Sequence, residues 1–141
     1  WQTRGVPFGW SSWSRNGLGE FTRVAGANPQ KRGISINAPA TGETAILLQA
    51  VKIDPNAKYV ALASVNLKNP ALNSSTQLNV RFRDARGKIL ENTSVNPESK
   101  AGWQQLFLPV TPPGGAASIL VMLSVSASEA IFDDVTLHKL P

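Results

Sequence analysis

Two stretches carry side chains whose types and spacing could do chemistry. In IFDDVTL, residues 131–137, two adjacent acids stand inside an apolar, β-prone run. In TQLNVRFRD, residues 76–84, Gln77, Asn79, Arg81 and Arg83 alternate with Leu78, Val80 and Phe82. Strand alternation places Ile131, Asp133, Val135 and Leu137 on one face and Phe132, Asp134 and Thr136 on the other. An acid among apolar side chains stays charged only if something compensates it. A catalytic acid, a metal ligand and a hydrogen-bonded structural carboxylate all meet that condition. In the second stretch one side is core and the other presents amides and guanidinium groups. Those groups serve either a solvated sheet face or a face that offers directional hydrogen bonds to a hydroxyl-rich ligand.

Catalytic constellations are missing from the sequence. The single histidine, His138, lies beside the C-terminus of the chain, a poor place for a Ser-His-Asp triad. No GxSxG, HExxH or P-loop occurs, and the GLG at 17–19 follows polar residues rather than a strand. Glycoside hydrolysis needs two carboxylates about 5 to 10 Å apart across a cleft. Asp133 and Asp134 diverge to opposite faces of a strand, so they cannot flank one bond. The expectation is a protein without catalytic activity.

The elements that must position these residues are β-strands. At 141 residues the chain has the length of one domain, able to remove about two-thirds of its unfolded surface from water. With 42% hydrophobic and 16% charged residues it is too apolar for a disordered chain and low in charge for a helical one. Strands are expected at 32–37, 44–53, 58–67, 76–84, 103–110, 117–125 and 130–137, each bounded by Gly, Pro, Asn or Ser clusters. Residues 1–33 read as short irregular strands and loops. The turns have their own chemistry: Pro55 and Asn56 suit a tight turn, and Gly87 stands where a positive φ is needed. Seven strands without an amphipathic helix predict an all-β sandwich.

The net charge of +5 is concentrated in residues 1–70, which hold eight basic and three acidic side chains. Arg4, Arg15, Arg23, Lys31 and Arg32 are scattered rather than gathered into a stripe, so no nucleic-acid partner is expected. The absence of cysteine excludes disulfides, thiolate metal sites and a cysteine nucleophile. No apolar run approaches 18 residues, so direct membrane insertion is not expected. Starting at Trp1 and stopping just after a strand, residues 1–141 read as a single domain excised from a larger protein.

Read in order, FGW (8–10), RGISIN (32–37), ILLQAVKIDPNAKYVALASV (46–65), LNVRFRDARGKIL (78–90), AGWQQLFLPVTPPGGAASILVML (101–123) and IFDDVTL form a pattern. It resembles the family 4 and 9 group of carbohydrate-binding modules over roughly residues 8–140. The resemblance implies a galactose-binding-like jelly roll of two antiparallel sheets that binds a polysaccharide or oligosaccharide without catalysis. It further implies an extracytoplasmic setting, with neighbouring domains linked in one chain to a glycan-active or envelope protein. In that group the first acid of the closing pair helps bind a structural calcium ion, a role that falls here on Asp133. The alternative is that Asp133 accepts backbone N–H bonds and pins the last strand.

Sugar rings stack their C–H faces on aromatic rings and bond through their hydroxyl rims. The aromatic candidates are Trp1, Trp10, Trp13, Tyr59 and Trp103, and the polar ones Gln49, Gln77, Asn79, Arg81 and Arg83. Tyr59 alternates with Ala61, Ala63 and Val65 and suits the core. Trp103 suits core or groove equally, whereas Trp13, in a Ser- and Gly-rich loop, is the better platform. Arginines in the site would favour an anionic polysaccharide, because guanidinium pairs bidentately with carboxylate. A structural or protein-docking sandwich with no sugar ligand is the alternative, since the cleanest polar face has no aromatic in it.

Overall fold

Period-two alternation of apolar side chains builds ten strands in the computed structural model, which describes residues 6–7, 9–27 and 32–141. They are β1 (Ser11–Ser14), β2 (Glu20–Ala25), β3 (Arg32–Asn37), β4 (Thr44–Lys52), β5 (Tyr59–Leu67), β6 (Thr76–Arg83), β7 (Ile89–Val95), β8 (Trp103–Val110), β9 (Ser118–Ser126) and β10 (Glu129–Lys139). A single 3₁₀ turn at Pro70–Ser75 precedes β6 and is capped by the Asn69 side chain, which accepts from the Ala71 N–H. All seven expected strands are present to within a few residues at each end. β7, an edge strand whose polar residues, Glu91, Asn92 and Ser94, are exposed, lies outside the expected strands. β1 and β2 form within the segment expected to hold short irregular strands and loops. Trp1 and Phe8, two of the residues singled out there, lie outside the described residues.

The strands form two five-stranded sheets, in the orders β1-β4-β9-β6-β7 and β2-β3-β10-β5-β8, with all pairings antiparallel. Only β2–β3 and β6–β7 are consecutive strands within one sheet; every other connection crosses to the opposite sheet. This is a jelly-roll sandwich. The β6–β7 turn holds Gly87 at φ 87°, as its position in the sequence predicts, with Asp84 Oδ1 accepting from the N–H groups of Arg86 and Lys88. Pro109, which cannot donate to a ladder, sits in β8 at the edge of its sheet.

The core lies between the inner faces. Leu78, Val80 and Phe82 of β6, with Ile119, Leu123 and Val125 of β9, meet Ile36, Val65 and Phe132 from the other sheet, all essentially inaccessible to solvent. Tyr59 is buried with them, as its alternation requires, and its hydroxyl accepts from the Asp54 N–H at 2.8 Å.

In β10 the expected alternation is corrected. Phe132 and Ala130 point into the core, so Ile131 and Asp133 point outward with their partners Asn66 and Ser64. A bulge between Asp133 and Thr136 then shifts the phase, with Asp134 at φ 49°. Beyond it Val135 and Leu137 pack against the core face instead of sharing a face with Asp133. Asp133 is nonetheless buried, because the segment after β2 covers it. Its Oδ2 accepts from the Ala27 N–H at 2.9 Å and its Oδ1 from the Asp134 N–H at 2.8 Å. The approach is so close that Gly26 has no room for a Cβ beside Asp133 Oδ2.

Candidate functional site

The outward face of the β1-β4-β9-β6-β7 sheet gathers most of the polar residues read from the sequence. Antiparallel register aligns its side chains in rows. Trp13, Ile46, Ser124 and Gln77 form the first row, and Ser11, Leu48, Met122, Asn79 and Ser94 the second. Ala50, Leu120, Arg81 and Asn92 make the third, and Lys52, Ser118 and Arg83 the fourth. Adjacent strands are about 4.8 Å apart and same-face residues about 7 Å apart along a strand. Trp13 and Arg83 therefore mark opposite corners of a surface roughly 25 Å across its diagonal, by the same spacings.

Each part of this face has a different character. Trp13 is 48% exposed on the edge strand. The floor is screened: Met122 is 6% and Asn79 8% exposed although both point outward. At the far end stand two guanidinium groups. Asn79 Oδ1, Arg81 Nε and Arg83 Nε are all buried without a hydrogen-bond partner. Natural structures rarely leave such atoms unpaired, and three of them lie on this one face. The fourth buried unpaired atom, Thr76 Oγ1, lies on the opposite, core-facing parity of β6.

Glu43, immediately after Gly42 and just before β4, is almost wholly buried. The Glu43 carboxylate accepts from the N–H groups of Asn16 (3.1 and 3.2 Å), Leu18 (3.0 Å) and Thr44 (2.9 Å), closing the turn that follows β1. Burial works to raise its pKa, but the backbone donors outweigh it and hold the carboxyl below its ordinary value. Nothing in the sequence singles out Glu43. Its one local signal is the Gly-Glu step just before a strand, which does not reveal that Asn16 and Leu18 lie 27 and 25 residues away.

The remaining expected residues are not on this face. Gln49 has the same parity as Leu47 and pairs with Val121, so it points between the sheets, near Gly9. Trp10 packs against the core and lines an interlayer cleft of about 330 Å³ together with Arg23, Arg32, Leu123 and Phe132. Trp103 pairs with Asn66 and stands on the outer surface of the other sheet. Conversely, Lys52, Ser118 and Asn92 join the face unexpectedly. Ile46, Leu48 and Ala50 make the outward side of β4 as apolar as its inward side, which hides the alternation that would have exposed Lys52.

A calcium ion takes six to eight oxygen ligands. Asp133 brings one carboxylate, both of whose oxygens accept backbone N–H bonds. Among the described residues no cluster of three acidic or histidine side chains forms.

No protein-family model matches the sequence, and no curated protein matches it either. Solved structures do match the fold. The enzymatically active domain of bacteriophage CBA120 tailspike protein 4 superposes with a TM-score of 0.81 at 15% identity, over 94% of this chain but 20% of that one. The xylan-binding CBM22-1 domain of Paenibacillus barcinonensis Xyn10C gives a TM-score of 0.62 at 14% identity, covering 96% of this chain and 88% of the other. The family 11 carbohydrate-binding module of Clostridium thermocellum Lic26A-Cel5E gives 0.62 at 13% identity, covering 99% and 92%. At these identities the likeness shows the fold: a jelly roll of the kind carbohydrate-binding modules use. The chain spans only about a fifth of the tailspike domain's length.

Proposed function

We propose that the chain is a non-catalytic polysaccharide-binding module of the family 4 and 9 type, working within a larger extracytoplasmic protein. The observation that carries this is the outward face of the β1-β4-β9-β6-β7 sheet. An exposed tryptophan stands at one corner, and buried amide and guanidinium atoms without partners stand along the opposite strand. An aromatic ring stacks on the C–H face of a sugar, and amide and guanidinium groups take its hydroxyl rim. The neighbours in fold support the reading, since one is named as xylan-binding and another as a carbohydrate-binding module.

The test is a glycan-array screen of the domain, run with calcium and with a chelator, followed by titration of the best polymer into Trp13→Ala. Loss of ring stacking, worth about 1.5 kcal/mol or more for an aromatic platform, should weaken binding at least tenfold while leaving the fold intact. Binding that is indifferent to Trp13→Ala and Asn79→Ala would place the site elsewhere.

One observation favours the second reading, a docking sandwich. Phe107 is 62% exposed on the outer surface of β8, the same surface as Trp103. A linked neighbouring domain would cover it. A silent glycan screen combined with domain association broken by Phe107→Ser would favour that reading.

A further inference from the structure

The far end of the candidate face has an electrostatic property that the sugar-binding reading alone does not require. Arg81 and Arg83 project from the same side of β6, about 7 Å apart. Lys52 lies in the row of Arg83, two strands away. No strand position in register on this face carries a carboxylate: Glu91 opposes Phe82 and so has the other parity, and Asp84 is engaged by the Arg86 and Lys88 N–H groups beyond the strand end. Among the described residues the ion pairs are Lys100 with Glu98 and Lys139 with Asp54, and neither arginine side chain joins them. Three cations thus share one surface with no anion among them, and the Nε atoms of both arginines are buried without partners.

Guanidinium groups packed under a neutral sugar would lose water without gaining a counter-charge, and like charges side by side are unfavourable in the free protein. A carboxylate removes both penalties. It pairs with two N–H groups of one guanidinium through two parallel bonds, the geometry that distinguishes Arg from Lys. We infer that the ligand is an acidic polysaccharide whose uronate carboxylates are taken by Arg81 and Arg83, with Lys52 adding to the field. Trp13 then holds a sugar ring at the opposite corner, and Asn79 Oδ1 accepts from a hydroxyl between them. This rests on the polysaccharide-binding reading above and narrows it to one class.

The experiment is affinity electrophoresis and calorimetry of the chain with polygalacturonate, alginate, carboxyl-reduced polygalacturonate, xylan, mixed-linkage β-glucan and dextran sulfate. The expected result is binding to a polyuronate that weakens severalfold as salt rises and falls at least tenfold on carboxyl reduction. A comparable loss is expected in Arg81→Gln/Arg83→Gln and, because the fork is lost while the charge is kept, in Arg81→Lys/Arg83→Lys. Urea midpoints of both variants confirm that they are folded. Equal or tighter binding to xylan or β-glucan, lost in Trp13→Ala but unchanged in the arginine variants, overturns the acidic ligand and leaves the polysaccharide module standing. Binding to dextran sulfate alone overturns the carboxylate assignment. No binding to any polymer overturns both readings.

Discussion

Replacing Asp133 by alanine tests whether the closing strand is pinned by backbone hydrogen bonds or by a metal. The carboxylate is 8% exposed and holds the Ala27 N–H from across the chain and the Asp134 N–H at the bulge. A hydrogen bond to a charged group contributes about 1.5 to 3 kcal/mol, and the lower end applies here because water can reach the freed N–H groups. Two such bonds give a loss of about 2 to 4 kcal/mol for Asp133→Ala. Asparagine keeps one acceptor oxygen but turns an amide donor toward the other N–H, so Asp133→Asn should lose roughly half as much. For a domain of this size 1 kcal/mol corresponds to about 3 to 4 °C, so the alanine variant should melt roughly 6 to 16 °C lower. Urea denaturation with an unchanged m-value is the appropriate assay, carried out with calcium and with a chelator. An Asp133→Ala midpoint within about 0.5 kcal/mol of the parent would refute the pinning. So would a chelator that destabilises the parent as much as the substitution does.

Two further outcomes follow from the same packing. Glu43 has a pKa held below its ordinary value in the fold, so its contribution to stability is present above the unfolded value of about 4.5 and is lost as pH falls through the lower, folded value. Urea midpoints from neutral to acidic pH should therefore fall in the parent more steeply than in Glu43→Gln, which should start lower at neutral pH. In Gly26→Ala the added methyl overlaps the Asp133 carboxylate and crowds the Gly33 N–H, and overpacking of this kind costs about 1 to 3 kcal/mol, read as a lower thermal midpoint.

The legible parts of this protein are those in which one residue type answers one local demand. Leu78, Val80 and Phe82 alternating with Gln77, Asn79, Arg81 and Arg83 fix both the strand and its two faces, and Gly87 fixes a turn. Parity along one strand, however, does not say which of two sheets the strand joins. For this reason Gln49 and Trp103, both sensible ligand groups by type, end up between the layers and on the opposite outer surface. The β10 bulge was invisible because nothing about two aspartates in a β-prone run requires a φ of 49° at the second. The supporting role of Glu43 was equally hidden, because its donors come from a turn that the sequence shows only as polar and glycine-rich. Long-range register, not local preference, decides each of these cases.

The strand order also governs how the sandwich can assemble. The middle strand of each five-stranded sheet is one of the last two in sequence, β9 between β4 and β6 and β10 between β3 and β5. Until residues 118–139 are available, neither sheet can be more than two separate pairs of strands with open edges. Much of the inward face of β4, β6, β3 and β5 has no covering layer at that stage. Chains of this kind pay loop-closure entropy before most of their contacts form, and all-β domains dominated by such pairings fold in milliseconds to seconds rather than microseconds. A newly made chain therefore holds its exposed strand edges longest just before β9 and β10 close them. Lys52 and Arg83, which border the open slot for β9, carry charge on those waiting edges and so guard against mispairing during that interval.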